Sequence, residues 1–377
     1  MLILPDSYDA MYLEKITLRD FKNIADASLA FSPKINCITG SNGAGKTNLL
    51  DAVYYLSMTK SYFSSSDQYI FRYGTEEAIA SGLYAMDDGT RERVAVSVRR
   101  NGKTVTRGGK AYERFSDHIG LLPIVMVSPS DSSLINDSGD ERRKYMNFIL
   151  SQTDRNYLRH IQTYTQYLLR RNKILKDGFP QEVLVDTITE QMEPHAQYVY
   201  EARRQLCTQL LPIAQEFYTK LSGGREEITI DFRSNLDEAG FYELMERNAE
   251  KDRVLGYTLA GIQRDDILFS LDGHPLRKCG SQGQQKSFLL ALKLAQMRFM
   301  QDVYGLKPIL LLDDVFDKLD MARVGNLISI VATSEFGQIF LSDSNKVRVS
   351  GIVEAFSADC ANFTVENGVY AREGQLI

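Results

Sequence analysis

What the chain lacks narrows its class first. Among 377 residues no run approaches the ~18 consecutive apolar positions that a membrane-crossing helix needs. The apolar start Met1-Leu2-Ile3-Leu4 stops at Pro5 and Asp6, too soon for the core of a secretory signal. A cytoplasmic protein without a membrane is the expectation. Cysteine and histidine are scarce, four of each. Cys37, Cys207, Cys279 and Cys360 form no Cys-x-x-Cys pair, and His118, His160, His195 and His274 are scattered, so neither a zinc site nor a disulfide framework is expected. Nor is there an excess of basic residues: 44 Lys and Arg against 49 Asp and Glu leave a net charge of −5, which by itself offers nothing to a polyanion. With 44% hydrophobic and 25% charged residues the composition is that of an ordinary soluble protein, long enough for two domains of roughly 150 residues each.

The distribution of charge says more than its sum. Residues 91–110 hold seven basic side chains and one acid, and residues 142–176 hold nine and one. The remainder is correspondingly acidic, and a sided field of this kind steers polyanions.

Along the chain, Tyr12 to Leu18 alternates as a half-buried strand does, and Ile35-Asn36-Cys37-Ile38-Thr39 reads as a second strand ending at Gly40. Helical spacing follows from Asn48 to Leu56. Arg93 to Arg99 alternates into the turn signal Asn101-Gly102, and Leu122 to Val127 is a buried-strand run. From about Glu141 to Leu221 the pattern is helical, and Glu227 to Phe232 returns to strand. The last third has a strand near 267–271, a long apolar helix over about 284–300, and apolar strands at Ile309-Leu310-Leu311-Leu312 and Gln338-Ile339-Phe340-Leu341. Helices between buried strands argue for an α/β sheet interrupted by a helical lobe.

Gly40-Ser41-Asn42-Gly43-Ala44-Gly45-Lys46-Thr47 matches the phosphate-binding pattern G-x-x-x-x-G-K-[ST] at every position. Glycines let backbone N–H groups turn inward around phosphates, and the helix behind adds its positive end. Lys46 is expected to reach the β- and γ-phosphates and the Thr47 hydroxyl to ligate Mg²⁺, with Asn48 completing the nucleotide-binding stretch. At the end of the strand 309–312, Asp313 is placed to hold Mg²⁺ and Asp314 to orient or deprotonate the attacking water.

Ser281-Gln282-Gly283-Gln284-Gln285 opens the long helix 32 residues before Asp313 and looks like the signature motif of ABC-type ATPases. In that class the serine and the glycine backbone contact the γ-phosphate held by the other subunit, although Ser281 also reads as a plain helix N-cap. Asp317-Lys318-Leu319-Asp320 stands where the class has its D-loop, and Ser342 at its switch position. Leu221-Ser222-Gly223-Gly224 spells a transporter signature more literally, but it lies 92 residues before Asp313 and precedes a strand, so it reads as a turn ending the helical lobe.

About forty residues each way in that lobe reach at most ~60 Å at 1.5 Å per residue, far short of a long coiled-coil arm. Its basic side chains, Arg142, Arg143, Lys144, Arg155, Arg159, Arg170, Arg171, Lys173 and Lys176, interleave with Tyr157, Tyr164 and Tyr167 and have one acid, Asp154, among them. This points to phosphate contact with DNA, with Arg142, Arg143, Lys144, Arg170, Arg171 and Lys173 as the candidate side chains; a solvated helix face is the plainer reading.

Taken together, the chain resembles the RecF family of bacterial recombination-repair ATPases from Met11 to near its end. The resemblance rests on Leu18-Arg19-Asp20-Phe21-Lys22-Asn23, Glu141-Arg142-Arg143, Arg171-Asn172-Lys173-Ile174-Leu175-Lys176, Arg264-Asp265-Asp266 and the segment at Ser281. It departs at Gly261-Ile262-Gln263, where the family commonly has Gly-Pro-His, at Gly139 for proline, at Asn147 for aspartate and at Phe63 for arginine. The ten residues before Met11 have no family counterpart, which suggests a start at Met11. The resemblance implies an ABC-type head that dimerises around ATP and Mg²⁺, binds DNA, hydrolyses ATP slowly as a switch, and works with RecR and RecO to load RecA at gaps, with links to the SOS response. The expected architecture is α/β: an ABC-type ATPase head over 1–130 and 228–377, interrupted by a mostly helical lobe at 131–227. The alternative is the ATP-binding subunit of a membrane transporter; an SMC-like clamp is disfavoured by the short lobe.

Overall fold

Period-two alternation of apolar side chains starts the chain as a strand, and the elements then follow in an α/β order. They are β1 (Met11–Phe21), β2 (Ile24–Ala30), β3 (Ile35–Thr39), α1 (Lys46–Met58), β4 (Glu77–Met86), β5 (Arg91–Arg99), β6 (Gly102–Arg107), β7 (Lys110–Ala111) and β8 (Ile124–Val127). Next come α2 (Ser133–Asn136), α3 (Gly139–Thr153), α4 (Arg155–Asp177), α5 (Glu182–Ser222), β9 (Ile228–Arg233), α6 (Phe241–Leu255), β10 (Asp266–Leu271), β11 (His274–Pro275) and α7 (Leu276–Cys279). Last among the described residues come α8 (Gln282–Tyr304), β12 (Ile309–Asp313), α9 (Met321–Val331), β13 (Ile339–Asp343), β14 (Cys360–Glu366) and β15 (Val369–Arg372). The computed structural model describes residues 11–86, 88–177, 182–224, 226–317, 319–333, 335–345 and 360–372. Residues 1–10, on which the proposed start at Met11 bears, and Lys318 of the D-loop segment lie outside the described residues. No described helix is long and apolar enough to cross a membrane.

Two units emerge, Met1–Asp131 with Gln296–Ile377, and Ser132–Ala295. The first contains an antiparallel sheet in the order β2-β1-β4-β5-β6-β7. Met11 and Leu13 share the buried face of β1 with Ile16 and Leu18, which is one residue out of alternation; the register shift between Leu13 and Lys15 absorbs the extra residue. The same unit contains a second sheet, β15-β14-β3-β13-β12-β8, in which every pair is parallel except β14–β15. Parallel strands need cover on both faces, and the runs Ile309–Leu312 and Ile339–Leu341 are buried throughout, as such strands require. Register aligns Asp313 with Ser342 and Asp343 with Thr39, so the ends of β12, β13 and β3 meet along one edge. Ligands of open α/β sheets bind at that edge.

The second unit is helical around a three-stranded antiparallel sheet, β11-β10-β9. Asp154 takes an extended conformation after α3, and its carboxylate accepts from the Asn156 backbone, so one helix ends and another begins there. The two arms are therefore unequal: α4 has 23 residues, about 34 Å, against 41 in α5. They run antiparallel, with Asp154 bonded to Tyr198, His160 to His195 and Arg171 to Thr189. Against the lobe drawn at 131–227, this unit continues to Ala295, because β9 pairs with β10 and packs on α5.

Candidate nucleotide-binding site and basic helix face

The site begins where β3 ends. A Cβ on Gly40 would lie 2.4 Å from the Val365 carbonyl oxygen, so only glycine passes beneath β14. Gly43 and Gly45 have φ of +80° and +124°, conformations that L side chains resist. α1 starts at Lys46, whose buried ammonium donates to the carbonyls of Gly40 at 2.9 Å and Ser41 at 3.2 Å. The Thr47 hydroxyl donates to the Asp313 carboxylate at 2.9 and 3.1 Å, and the Ser342 hydroxyl donates to the same carboxylate at 2.5 Å. Asp314 has φ +45°, and its N–H donates to the Ser342 carbonyl and hydroxyl, both at 3.2 Å. Burial pushes the Asp313 pKa up, against the hydroxyl bonds from Ser342 and Thr47 that pull it down. Hydroxyl and carboxylate oxygens are the donor set that a hard cation such as Mg²⁺ takes, so the residues present fit that ion. Thr47, Asp313 and Ser342, remote in sequence, are thus brought together, with Lys46 and Asp314 beside them.

Ser281 and Gly283 lie in the other unit, at the start of α8. Ser281 Oγ accepts from the Gln284 N–H at 3.3 Å and Gln284 Oε1 accepts from the Ser281 N–H at 2.8 Å, a reciprocal capping box on an exposed serine. Leu221-Ser222 is the C-terminal end of α5 and Gly223 takes φ +68°, so this stretch offers no helix N-terminus. Asp320 caps α9 by accepting from the Arg323 N–H.

The basic side chains divide by helix face, and this corrects part of the DNA-contact reading. Arg142 is buried in a two-pronged pair with Asp266, Nε–Oδ1 2.6 Å and Nη2–Oδ2 3.0 Å, and donates to the carbonyls of Leu134 and Asp137. Arg171 is buried on fully buried Asp252 at 2.7 Å, with Thr258 and Thr189. Neither is a phosphate-contact candidate, because removing either guanidinium would strand a carboxylate. Arg143 is held by the Asp265 carbonyl at 2.7 Å and by Asp140. Lys144 is exposed on Glu141, while Arg170 and Lys173 are exposed on α4. With Arg155, Arg159 and Lys176, Arg170 and Lys173 cover roughly a third of the helix circumference over about 32 Å, opposite buried Tyr157, Tyr164, Arg171 and Leu175. Among the described residues these five cations make no ion pair, and Arg170 lies over the Tyr167 ring at 5.9 Å.

Several structural partners escape sequence reasoning. Asn23 accepts from Asn48 Nδ2 at 2.8 Å and donates to the Ala44 carbonyl, while Tyr370 reaches the Gly45 carbonyl. Arg203 is fully buried and binds Asp265 at 2.6 Å, the Ile262 carbonyl, Tyr157 and Asn147. Its signal was readable: it interrupts the apolar stripe Met192, Ala196, Val199, Leu206 and Leu210 of α5. The departures Asn147 and Gln263 are absorbed locally, Asn147 by Tyr157 and Arg203, Gln263 by Tyr164.

Comparison with known proteins places this geometry. The family model described as RecF/RecN/SMC N terminal domain matches residues 12–358. The DNA replication and repair protein RecF of Parabacteroides distasonis is 41% identical over 358 residues, covering 95% of this chain and 98% of that protein. Its counterpart in Bacteroides thetaiotaomicron is 40% identical over 366 residues, covering 97% and 99%. Among solved structures, the recombination mediator protein RecF with ATP, of the RecFOR pathway, is 25% identical with a TM-score of 0.87, covering 98% of this chain and 99% of that one. The Smc head domain of Pyrococcus furiosus shares the fold at 17% identity and a TM-score of 0.57, covering 96% of each chain.

Proposed function

Because the chain belongs to the RecF family, within the RecF/RecN/SMC N-terminal-domain group, we propose that it is an ATP- and DNA-binding protein of replication and recombinational repair that uses weak ATP hydrolysis as a switch. The meeting of Thr47, Asp313 and Ser342 beside the glycine loop carries this reading. Loop amides and the positive end of α1 cradle the phosphates. The Lys46 ammonium exchanges two neutral carbonyls for β- and γ-phosphate oxygens, a charge-assisted gain. Thr47 and Asp313 would hold Mg²⁺, which would supply positive charge against the bound phosphates. Asp314, fixed through its backbone on Ser342, orients the attacking water.

Exposed Ser281 and half-buried Gly283 of a second copy complete each site, so ATP sets the dimer population and, through it, DNA affinity. The outer face of α4 with Lys144 supplies phosphate contacts; its length of about 32 Å is close to one duplex turn. In this role the protein acts in the cytoplasm with RecR and RecO, helping to load RecA at single-strand/double-strand junctions in support of the SOS response. The transporter reading is not favoured, because the relatives are RecF proteins.

The test is fluorescence anisotropy on a gapped duplex across salt concentrations, with Mg²⁺ and either ATP or no nucleotide. ATP-dependent binding that weakens with salt is expected. Equal, salt-insensitive binding with and without ATP would overturn the switch.

A further inference from the structure

A phosphate loop has a second, outward side that must also be satisfied. Each trans peptide is planar, so a carbonyl pointing one way sends the next residue's N–H the other way. Amides aimed at a phosphate therefore leave outward carbonyls, and where these are screened from water each needs a donor. Here one donor to each of two such carbonyls comes from the far end of the chain. β14 and β15 form a hairpin through Asn367 and Gly368, both with positive φ (+50° and +79°), an Asn-Gly turn of the tight two-residue kind. The Gly368 N–H donates to the Ala44 carbonyl at 2.8 Å, an acceptor shared with Asn23 Nδ2 at 3.3 Å. The Tyr370 phenol donates to the Gly45 carbonyl at 2.8 Å, adding a third donor to the Asn48 and Leu49 N–H groups of α1 at 3.0 and 3.2 Å.

Space around the loop is closed to match. A Cβ on Gly45 would meet Asn23 at 3.1 Å and the Tyr370 hydroxyl at 3.2 Å, and a Cβ on Gly368 would meet the Asn23 carbonyl at 2.6 Å. Together with Val365 over Gly40, the hairpin touches the loop at three backbone positions.

We propose that the β14–β15 hairpin is a positioning clamp for the phosphate loop, with Tyr370 and Gly368 as its positioning residues, so that nucleotide affinity depends on a segment some 325 residues from Gly45. The proposal rests on the nucleotide reading given above. Holding the Ala44 and Gly45 carbonyls outward sets the N–H groups of Gly45 and Lys46 inward before any phosphate arrives. Preorganised donors cost less to order on binding than mobile ones. The clamp neither touches phosphate nor carries charge; it acts only through the two peptide planes.

Full-length variants are titrated with N-methylanthraniloyl-ATP and Mg²⁺, and thermal unfolding is recorded without nucleotide. Tyr370→Phe removes one hydroxyl and should weaken binding roughly three- to tenfold in fully folded protein. Gly368→Ala, strained at its φ and against Asn23, should weaken it more. Thr364→Val removes a hydroxyl aimed at the Ala371 carbonyl within the same hairpin and should leave affinity unchanged whatever it does to unfolding. Lys46→Ala is the reference. Wild-type binding by Lys46→Ala would overturn the nucleotide reading and this proposal with it. Abolished binding by Lys46→Ala, with wild-type affinity in both Tyr370→Phe and Gly368→Ala, would overturn the clamp alone. A lowered unfolding temperature at unchanged affinity for Tyr370→Phe would also overturn it, since that is what a purely structural hairpin predicts.

Discussion

Two segments of this chain carry nearly the same excess of positive charge, yet the fold treats them oppositely. In β5 and β6, most cations are met by acids: Arg91 by Glu14 of β1, Arg99 by Glu77 of β4, Lys103 by Asp67, and Arg107 by Glu92, the one acid of the segment itself. On α4, Arg171 is taken inside by Asp252 while its neighbour Arg170 stays outside with four other cations that make no ion pair among the described residues. The lesson is that charge summed over a window is not charge presented to a partner. A strand places acids of the next strand 5 Å or so away, whatever their sequence distance, whereas the outer face of a helix meets only its own neighbours at three and four.

That contrast can be broken at its most expensive point first. Arg171→Ala should destabilise folding by about 3–5 kcal/mol, because it leaves the Asp252 carboxylate buried without its partner. Arg170→Ala, one residue away, should change stability by less than about 0.5 kcal/mol. Urea unfolding of the two variants checks the pair; similar losses would mean that the two faces are not distinct.

Next in size, reversing Arg155, Arg159, Arg170 and Lys173 to Glu together should lower duplex affinity by on the order of a hundredfold or more in moderate salt, and flatten the salt dependence by about one unit per side chain. Reversal of Arg99 and Arg100, compared with the double reversal of Arg170 and Lys173, should stay within about twofold. Anisotropy titrations over a salt series read both, and equal losses would return the sheet segment to candidacy.

The smallest effect concerns one exposed cross-strand pair. Hydrogen bonds from Ser97 and Arg99 hold the Glu77 carboxyl's pKa below the usual carboxylate range. A depressed carboxylate contributes stability above its unfolded value, about pH 4.3, and loses it as pH falls through the lowered value. Wild type should therefore be slightly more stable than Glu77→Gln at pH 7, and the two unfolding curves should converge below pH 4. A constant difference across that range would remove Glu77 from the account of how β5 is neutralised.

Legibility followed the range of the interaction. β3, the glycine loop and α1 were readable because one short segment carries strand alternation, positive-φ glycines and helix spacing together. β12 was readable as four buried apolar residues ending in an acid, and Ser281 as a cap at the correct distance from it. The roles of Arg142 and Arg171 were misread because both were counted as charge, while the helical period that places Arg171 on the buried stripe with Tyr157, Tyr164 and Leu175 was not applied to it. Asp154 was noted as the only acid of its segment, but not as the residue that separates α3 from α4.

By itself the sequence determined the local chemistry: which loop can cradle phosphate, which strands are buried, and which helix begins with an exposed serine. These depend on backbone conformations and periodicities set by neighbours a few positions away. Tertiary structure alone decided which cations remain outside, that the lobe extends to β10 and the start of α8, and that Gly368 and Tyr370 hold the outer side of the phosphate loop. Those outcomes hang on single acceptors and carboxylates brought close by strand pairing and helix packing across tens to hundreds of residues. No local pattern records such a meeting, because each partner, read alone, is an ordinary surface or turn residue.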